Sequence, residues 1–382
     1  MGKPMNKLSK TLPDNLPTFS HQITACEYPK TLNFNIFQNP LTFIPHGPRP
    51  HKKKIRFKTI SPSLIGCLVR LQDPAYNQSV PPAPDVLQAV QVLRKGGLVA
   101  FPTETVYGLG ADADNLLALQ AVFRVKGRPS SHPLIVHLGS GDELKEWAIS
   151  VPDEAYLLTQ TYWPGPLTVI LKRAQRVLPA VTGGQETVGL RVPDHRLALA
   201  MLREFRGGVA APSANRFGRV SPTCAEHVRR DLGGDVDFIL DGGPCAVGLE
   251  STIVDFSSGE PIILRPGGVT REALQETLRQ TIPIRGSSSV RVPGQLESHY
   301  APRAEVLLVD PAEAGARADA LRKEGRKVVL LVEADVAPDR LYASLRRADD
   351  QGAETVVVPL PDERGLGLAV ADRLRKAAGR KP

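Results

Sequence analysis

Residues 98–138 read LVAFPTETVYGLGADADNLLALQAVFRVKGRPSSHPLIVHL, and the fold class turns on how this stretch is parsed. The apolar run 98–101 has the length and composition of a buried strand. Pro102 breaks it into a loop, 102–110, that carries Thr103, Glu104, Thr105, Tyr107 and two glycines. A helical pattern over 115–126 follows and places Lys126 and Arg128 on either side of Gly127, with Pro129 stopping the helix. A second apolar run, 134–138, carries His137 near its end. Strand, polar loop, helix and strand, with cations gathered at one end, is how phosphate-handling sites are built.

Beyond this unit the pattern stays orderly. A helix is expected from Asp85, read as its N-cap, to the glycine pair Gly96-Gly97. Further strands are expected at 167–171, 187–192, 208–211, 237–240, 252–256 and 261–264, with helices at 153–160, 196–205, 224–232 and 270–280. Their irregular order predicts a mixed α+β sheet and not a regular alternation of strands and helices. Residues 282–303 are dense in Gly, Ser and Pro and read as a linker. Three strand–helix pairs then follow: strands at 305–309, 327–332 and 355–359, helices at 311–324, 338–348 and 365–378. They predict a small parallel α/β domain. The domain plan is therefore an extension over 1–80, a larger α/β domain over 83–281, the linker over 282–303 and a smaller α/β domain over 304–382.

Charge locates the basicity outside this plan. The net charge is +8, yet residues 1–72 hold eleven Lys/Arg against two acids, Asp14 and Glu27. The remainder, with 37 basic and 38 acidic residues, is close to neutral, so a basic RNA-docking face has no support from charge. The basic leader is read as a non-native or disordered extension, with a targeting peptide or RNA-binding arm as alternatives. Cys26, Cys67, Cys224 and Cys245 are scattered without CxxC pairing, which points to reduced thiols in a cytoplasmic protein. No apolar run reaches the roughly 18 residues of a membrane span, and no His/Cys/acid cluster has metal-ligand spacing.

Polar residues at strand ends supply the chemistry. Lys126 and Arg128 offer a mobile point charge and a planar fork for phosphate oxygens, although a solvated helix C-terminus favours the same cations. Ser213 and Asn215 follow the run 208–211 and Pro212, where a Ser-x-Asn turn presents hydroxyl, amide and N–H groups. An ordinary side-chain turn would look the same. Arg191 ends an apolar strand and needs an anion, such as a ligand carboxylate. His137 is either a core histidine or a pocket residue. Ser221, Ser251 and Arg265 sit at similar strand or turn positions. Phosphate loops of the G-x-x-x-x-G-K-[ST] type, G-x-G-x-x-G after the first strand, and the G-x-S-x-G elbow are all missing. Positioning and electrostatic stabilisation of a nucleotide reaction fit these groups better than a covalent nucleophile.

In this order and spacing, PTETVYGLG (102–110), KGRP (126–129), HPLIVHL (132–138), WPGPLTVIL (163–171), VGLRVP (188–193), APSAN (211–215), LESTIVD (249–255) and ILRPG (263–267) resemble the YrdC-like threonylcarbamoyl-adenylate synthases. VPGQLESHYAP (292–302), LYASLRRAD (341–349) and ADRLRKAA (371–378) resemble the two-domain form of that family. The resemblance implies a twisted mixed sheet with a concave cavity plus a smaller Rossmann-like domain. It implies a nucleotidyltransferase that joins L-threonine, bicarbonate or CO2 and ATP, with Mg²⁺ accompanying the nucleotide, into threonylcarbamoyl-AMP and pyrophosphate. The product goes to the tRNA threonylcarbamoyl-transferase machinery. By motif, Lys126 and Arg128 are the expected catalytic pair. With Ser213 and Asn215 they match the phosphate set, and His132, Thr187, Ser221, Arg265, His299 and Tyr300 match further ATP positions. Thr105, His137, Arg191, Ala211 and Ser251 match the threonine pocket, Ala211 by its backbone. His299 and Tyr300 are expected to fold over the cavity as a lid. Two positions depart from the family pattern: His132 stands where Asn is usual, and VPGQLES replaces the commoner SPGM with an aromatic and a basic residue after it.

Two other functions compete with this reading. One is an RNA-binding or ribosome-maturation module using the same cavity. The other is a carbamoyl-transfer domain related to hydrogenase maturation proteins, whose acylphosphatase-like and zinc-finger segments are not visible here.

Overall fold

The computed structural model describes residues 83–284, 288–295 and 299–379; the extension over 1–80 lies outside the described residues. Helix α1 (Pro84–Arg94) opens on Pro84, so Asp85 falls in the first turn and does not cap the helix. The decisive stretch folds into β1 (Val99–Phe101), β2 (Gly108–Asp112), α2 (Leu116–Lys126) and β3 (Ile135–His137). The side-chain oxygen of Asn115 starts α2 by accepting from the Leu117 and Ala118 N–H groups at 3.0 and 3.2 Å. Gly127, at φ +63°, ends it in the left-handed turn that turns the chain toward Arg128.

Within this stretch one element differs from the sequence expectation. Residues 108–110, read as the end of a loop, begin β2, which pairs antiparallel with β1. Glycine lowers strand propensity, but here it is required for packing. A Cβ on Gly110 would lie 2.7 Å from Val209 Cγ1 and 2.9 Å from Phe101 Cε1.

The larger domain continues with α3 (Leu144–Trp147), β4 (Ala148–Ile149), α4 (Asp153–Tyr162), β5 (Leu167–Arg173), α5 (Pro179–Thr182) and β6 (Thr187–Arg191). Then come α6 (Arg196–Phe205), β7 (Val209–Ala211), α7 (Ala225–Leu232), β8 (Phe238–Ile239), β9 (Thr252–Asp255), β10 (Ile262–Arg265) and α8 (Arg271–Leu278). Its strands form one mixed sheet in the order β10-β9-β5-β6-β3-β7-β2-β1-β8, with β4 beside β5 off that path. The smaller domain has β11 (Glu305–Val309), α9 (Ala314–Lys323), β12 (Val328–Leu330), α10 (Leu341–Asp350), β13 (Thr355–Pro359) and α11 (Gly367–Ala378), and its parallel sheet runs β11-β13-β12.

Strand alternation assigns the two faces of the large sheet. Val99, Phe101, Val209 and Ala211 pack with Val86, Val90 and Leu93 of α1 and Met201 and Leu202 of α6. Ala100, Val136, Leu190 and Ala210 point the other way, into the main core with Leu119, Val122, Trp147 and Leu158. On the first face a separate apolar floor forms from Ile135, Ile170, Ile253 and Leu264, with Val292 of the linker set on it. The concave site lies on this face.

Gly110→Ala is expected to cost about 1–3 kcal/mol through overpacking against Phe101 and Val209. A lowered denaturation midpoint of the full chain, with unchanged far-ultraviolet circular dichroism, is the measurement that checks it.

Candidate active site

Register assembles the site. Parallel pairing of β3 with β6 sets His137 beside Arg191, and antiparallel pairing of β3 with β7 sets Ile135 beside Ala211. The loop before β2 is stitched to the turn after β7 by Leu109 N donating to Pro212 O (2.8 Å) and Ala214 N donating to Tyr107 O (2.8 Å). Three distant motifs therefore meet at one sheet end. The resulting cavity is lined by Thr105, Arg128, His137, Arg191, Ala211 and Ser213, by Ser251 and Arg265, and by His299 and Tyr300. Thr103 and Glu250 also line it.

The remaining expected residues lie elsewhere, and the two cations of the KGR motif part company. Arg128 lines the cavity and donates from Nη2 to Pro133 O at 3.0 Å. Lys126 instead donates from Nζ to the carbonyls of Ser213 (2.6 Å) and Asn215 (2.5 Å), clamping the turn. The Asn215 amide nitrogen closes the same turn by donating to Arg216 O and Arg219 O, both at 2.8 Å. His132 meets Phe217 edge-on at 5.3 Å. Thr187 sits at the far end of β6 from Arg191, about 13 Å away by strand rise. The Ser221 hydroxyl donates to Glu250 Oε1 at 2.6 Å, just behind the lining.

Arg191 finds an anion within the chain. Its Nη2 lies 2.7 Å from Glu104 Oε1, an ion pair with both side chains buried, while Nε donates to Gly165 O at 3.3 Å. At both Nη2 and Oε1 this close contact is an ion pair without hydrogen-bond alignment. Glu104 also accepts from Asp194 N at 3.0 Å through Oε2. It acts as the counter-ion that keeps Arg191 in place.

The hydroxyls have a defined direction. Thr103 Oγ1 donates to Val106 O at 2.7 Å, so its 2.8 Å contact with Thr105 Oγ1 must be donated by Thr105. The lone pairs of Thr105 are thereby left as acceptors, suited to an amine. Arg265 donates from Nε and Nη2 to Ser251 O (3.1 and 2.9 Å) and from Nη2 to Ser251 Oγ (3.1 Å). It also reaches Pro293 O of the linker from Nη1, at 3.2 Å.

Burial tunes the charges. It pushes the Lys126 ammonium well below the ordinary lysine range, with the charge of Arg128 adding to the effect. Arg128 is lowered to about 10 by burial. His137 falls to about 3, through burial and then the charge of Arg191. His299 is likewise held at about 3 by burial. Among the described residues Arg128 Nε, His137 Nδ1 and His299 Nδ1 lack hydrogen-bond partners, so the lining offers unfilled polar atoms beside fixed cations. Residues that motif reading did not assign are Phe217, which carries Arg128 over its ring at 5.6 Å, and Glu250. Glu250 had a signal in the sequence, a carboxylate at the start of an apolar strand.

Buried guanidinium groups, neutral hydroxyls and neutral imidazoles thus share one cavity, a lining suited to small anionic ligands. Comparison with known proteins agrees. Residues 91–267 match the Sua5/YciO/YrdC family model described as "Telomere recombination", and residues 269–379 match that of the threonylcarbamoyl-AMP synthase C-terminal domain. The threonylcarbamoyl-AMP synthase of Pyrococcus abyssi is 38% identical over 316 residues, covering 76% of this chain and 93% of that protein. That of Bacillus subtilis is 38% identical over 327 residues, covering 78% and 93%. The crystal structure of P. abyssi Sua5 complexed with L-threonine superposes with a TM-score of 0.73 at 36% identity, covering 77% of this chain and 94% of that one. The chain belongs to the threonylcarbamoyl-AMP synthase family.

The folded-state values of His137 and His299 lie below the ordinary 6.5, so only the unfolded chain takes up protons between about pH 6.5 and 3. Their contribution to stability is complete above pH 6.5 and declines as the pH falls through that window. In a histidine NMR titration both imidazoles are expected to stay neutral from pH 8 to pH 5.

Proposed function

We propose that this chain is an L-threonylcarbamoyladenylate synthase, joining L-threonine, bicarbonate or CO2, and ATP with release of pyrophosphate. The observation that carries the reading is the convergence of Arg191, Thr105 and His137 with Arg128 and Arg265 on one cavity. Arg191 is the carboxylate receptor for threonine, its fork steadied by Glu104. The acceptor lone pairs of Thr105 receive the amine, and neutral His137 adds a polar wall without a competing charge. Ser251 and the Ala211 backbone complete this pocket.

In the reaction, the neutral amine of threonine attacks the carbon of CO2, forming the N–C bond of a carbamate as a C–O π bond opens onto oxygen, and the nitrogen gives its proton to solvent. A carbamate oxygen then attacks the α-phosphorus of ATP. The bond from that phosphorus to the bridging oxygen breaks, and pyrophosphate leaves with the electron pair. Arg128 and Arg265 are assigned to the developing phosphate charge, where buried and pre-placed donors act more strongly than in water. Lys126 is assigned to the phosphates through the 213–215 turn that it clamps, with Ser213 and Asn215. Ser221, Thr187 and His132 stand further out, and their nucleotide contacts require side-chain or ligand reach beyond the cavity lining.

Magnesium belongs to this reading as part of the substrate. Among the described residues Glu250 is the one carboxylate lining the cavity, and it is engaged by Arg373 at 2.8 Å; Glu104, outside the lining, is engaged by Arg191 at 2.7 Å. The donor set therefore does not fit a protein-held divalent cation, and a magnesium ion arriving with ATP would be held by the nucleotide's phosphates.

His299 and Tyr300 wall a cavity of about 50 Å³. Nucleotide pockets need roughly 300–1,000 Å³, so ATP binding requires this wall to move, as a lid would. The product serves tRNA threonylcarbamoyladenosine formation by a transferase machinery, and the setting we assign is the cytoplasm. No helix among the described residues is long and apolar enough to cross a membrane. An RNA-binding role for the cavity is disfavoured, because the chain beyond residue 72 carries 37 basic and 38 acidic residues and so lacks the charge excess of a polynucleotide-binding face.

Pyrophosphate release that depends on both threonine and bicarbonate tests the assignment. Arg128→Ala is expected to cost roughly 2–4 kcal/mol of barrier, about 30- to 900-fold in rate; a wild-type rate would remove Arg128 from the mechanism. Arg191→Lys loses the planar fork, so KM for threonine should rise about tenfold while KM for ATP stays within about twofold.

A further inference from the structure

The Glu250 carboxylate lines the catalytic cavity, yet most of its partners come from the other domain. Oε1 accepts from Ser221, but Oε2 accepts from Arg373 Nε on α11 and from the Tyr342 hydroxyl on α10, both at 2.8 Å. Arg373 is completely buried. Its guanidinium also stands over the Tyr300 ring at 5.1 Å, and Tyr300 stacks on Tyr342 at 5.9 Å with 25° between the rings. Tyr300 has φ +61°, a left-handed conformation that costs a non-glycine residue energy and persists only where packing imposes it. The neighbouring His299 N–H donates to Lys376 O, also on α11, at 3.2 Å. Two helices of the smaller domain thus grip one wall of the cavity.

Electrostatics supplies the reason. A carboxylate in a cavity that must admit a triphosphate is repulsive unless it is neutralised. The groups facing Glu250 are Arg265 from β10, Arg373 with Asp372 and Lys376 from α11, Tyr342 from α10, and His299 and Tyr300 from the linker. Asp372 is itself engaged by Arg373 Nη1 (2.6 Å) and Lys376 Nζ (2.7 Å). Burial alone would raise the Glu250 carboxyl, but Arg373 and Arg265, with the Ser221 bond, outweigh it and hold it at about 2. Burial also keeps the proton on Tyr342, which therefore donates. If Arg373 were absent, Arg265 would be the strongest remaining cation for Glu250, and Arg265 is assigned to the phosphates.

We propose that Arg373 and Tyr342 are positioning residues of the catalytic cavity: the smaller domain neutralises Glu250 and, through it, holds Ser221, so that the nucleotide is received without a repelling charge. The proposal rests on the adenylate-synthase reading above. It makes the smaller domain part of the active site and not an appendage to it.

The test uses the full chain and measures threonine-dependent pyrophosphate release, with thermal melts to confirm folding. Absence of activity in the wild type would defeat the adenylate-synthase reading itself. With an active wild type, Arg373→Gln should raise KM for ATP about tenfold or more while KM for threonine stays within about twofold. Adding Glu250→Gln to Arg373→Gln removes the stranded charge, so the double variant should regain about half of the loss on a logarithmic scale. The Arg373→Gln defect should also shrink from pH 8 to pH 6, as the unpaired carboxyl takes up a proton, and the double variant should show no such trend. Purely structural damage produces neither the rescue nor the pH dependence. Should Arg373→Gln fail to fold, Tyr342→Phe decides, with an expected rise in KM for ATP of about threefold from one lost hydrogen bond. A folded Arg373→Gln with KM for ATP within twofold of wild type, or a double variant no better than the single, overturns the proposal. So does an unchanged Tyr342→Phe.

Discussion

Four cations, Lys126, Arg128, Arg191 and Arg265, are buried at one end of the large sheet, each at most 6% exposed. Taking a charge out of water costs several kcal/mol unless donors find acceptors, so much of the local architecture answers to this demand. Lys126 takes the two carbonyls of the 213–215 turn, Arg265 takes Ser251 and the linker's Pro293, and Arg191 takes Glu104. Arg128 has a single carbonyl and leaves Nε unfilled among the described residues. The same bonds that make burial tolerable bring the loop before β2, the turn after β7 and the linker to one place. A site for a polyanion is therefore organised in advance, which is what electrostatic catalysis requires.

An aromatic string runs beside these charges. His132, Phe217, His299, Tyr300 and Tyr342 contact one another in sequence, edge-on at the first three steps and stacked at the last. It links the approach to β3 in the larger domain with α10 in the smaller one. Tyr300, Val220, Leu249 and Val106 of the site region share a single apolar cluster with Tyr342, Leu345, Val356 and Leu374. With such a continuous core, displacement of the His299–Tyr300 wall is coupled to packing in the smaller domain.

Much of this was legible in the chain itself. The apolar runs that became β3, β6 and β7, the helix capped by Asn115 and Gly127, and the three strand–helix pairs after residue 304 follow from hydrophobic period and turn chemistry. Their polar residues at strand ends marked the site. Three features were hidden. Glycines at 108 and 110 signalled a loop, because nothing local reveals that Phe101 and Val209 press on that strand. Lys126 and Arg128 look equivalent in KGR, although only Arg128 lines the cavity. Thr187 shares a strand with Arg191 but sits a strand's length away.

The sequence by itself determined most of the strands and helices, the division into two α/β domains, and the residue types at the site, because period, capping and composition are local properties. Only the tertiary structure decided that His137 stands beside Arg191, that Glu104 is its counter-ion, and that Glu250 is held by Arg373, 123 residues away. Those pairings depend on strand register and on how buried charges are shared out. Both are settled by the whole chain minimising unpaired polar groups at once, and neither leaves a mark in any single stretch of residues.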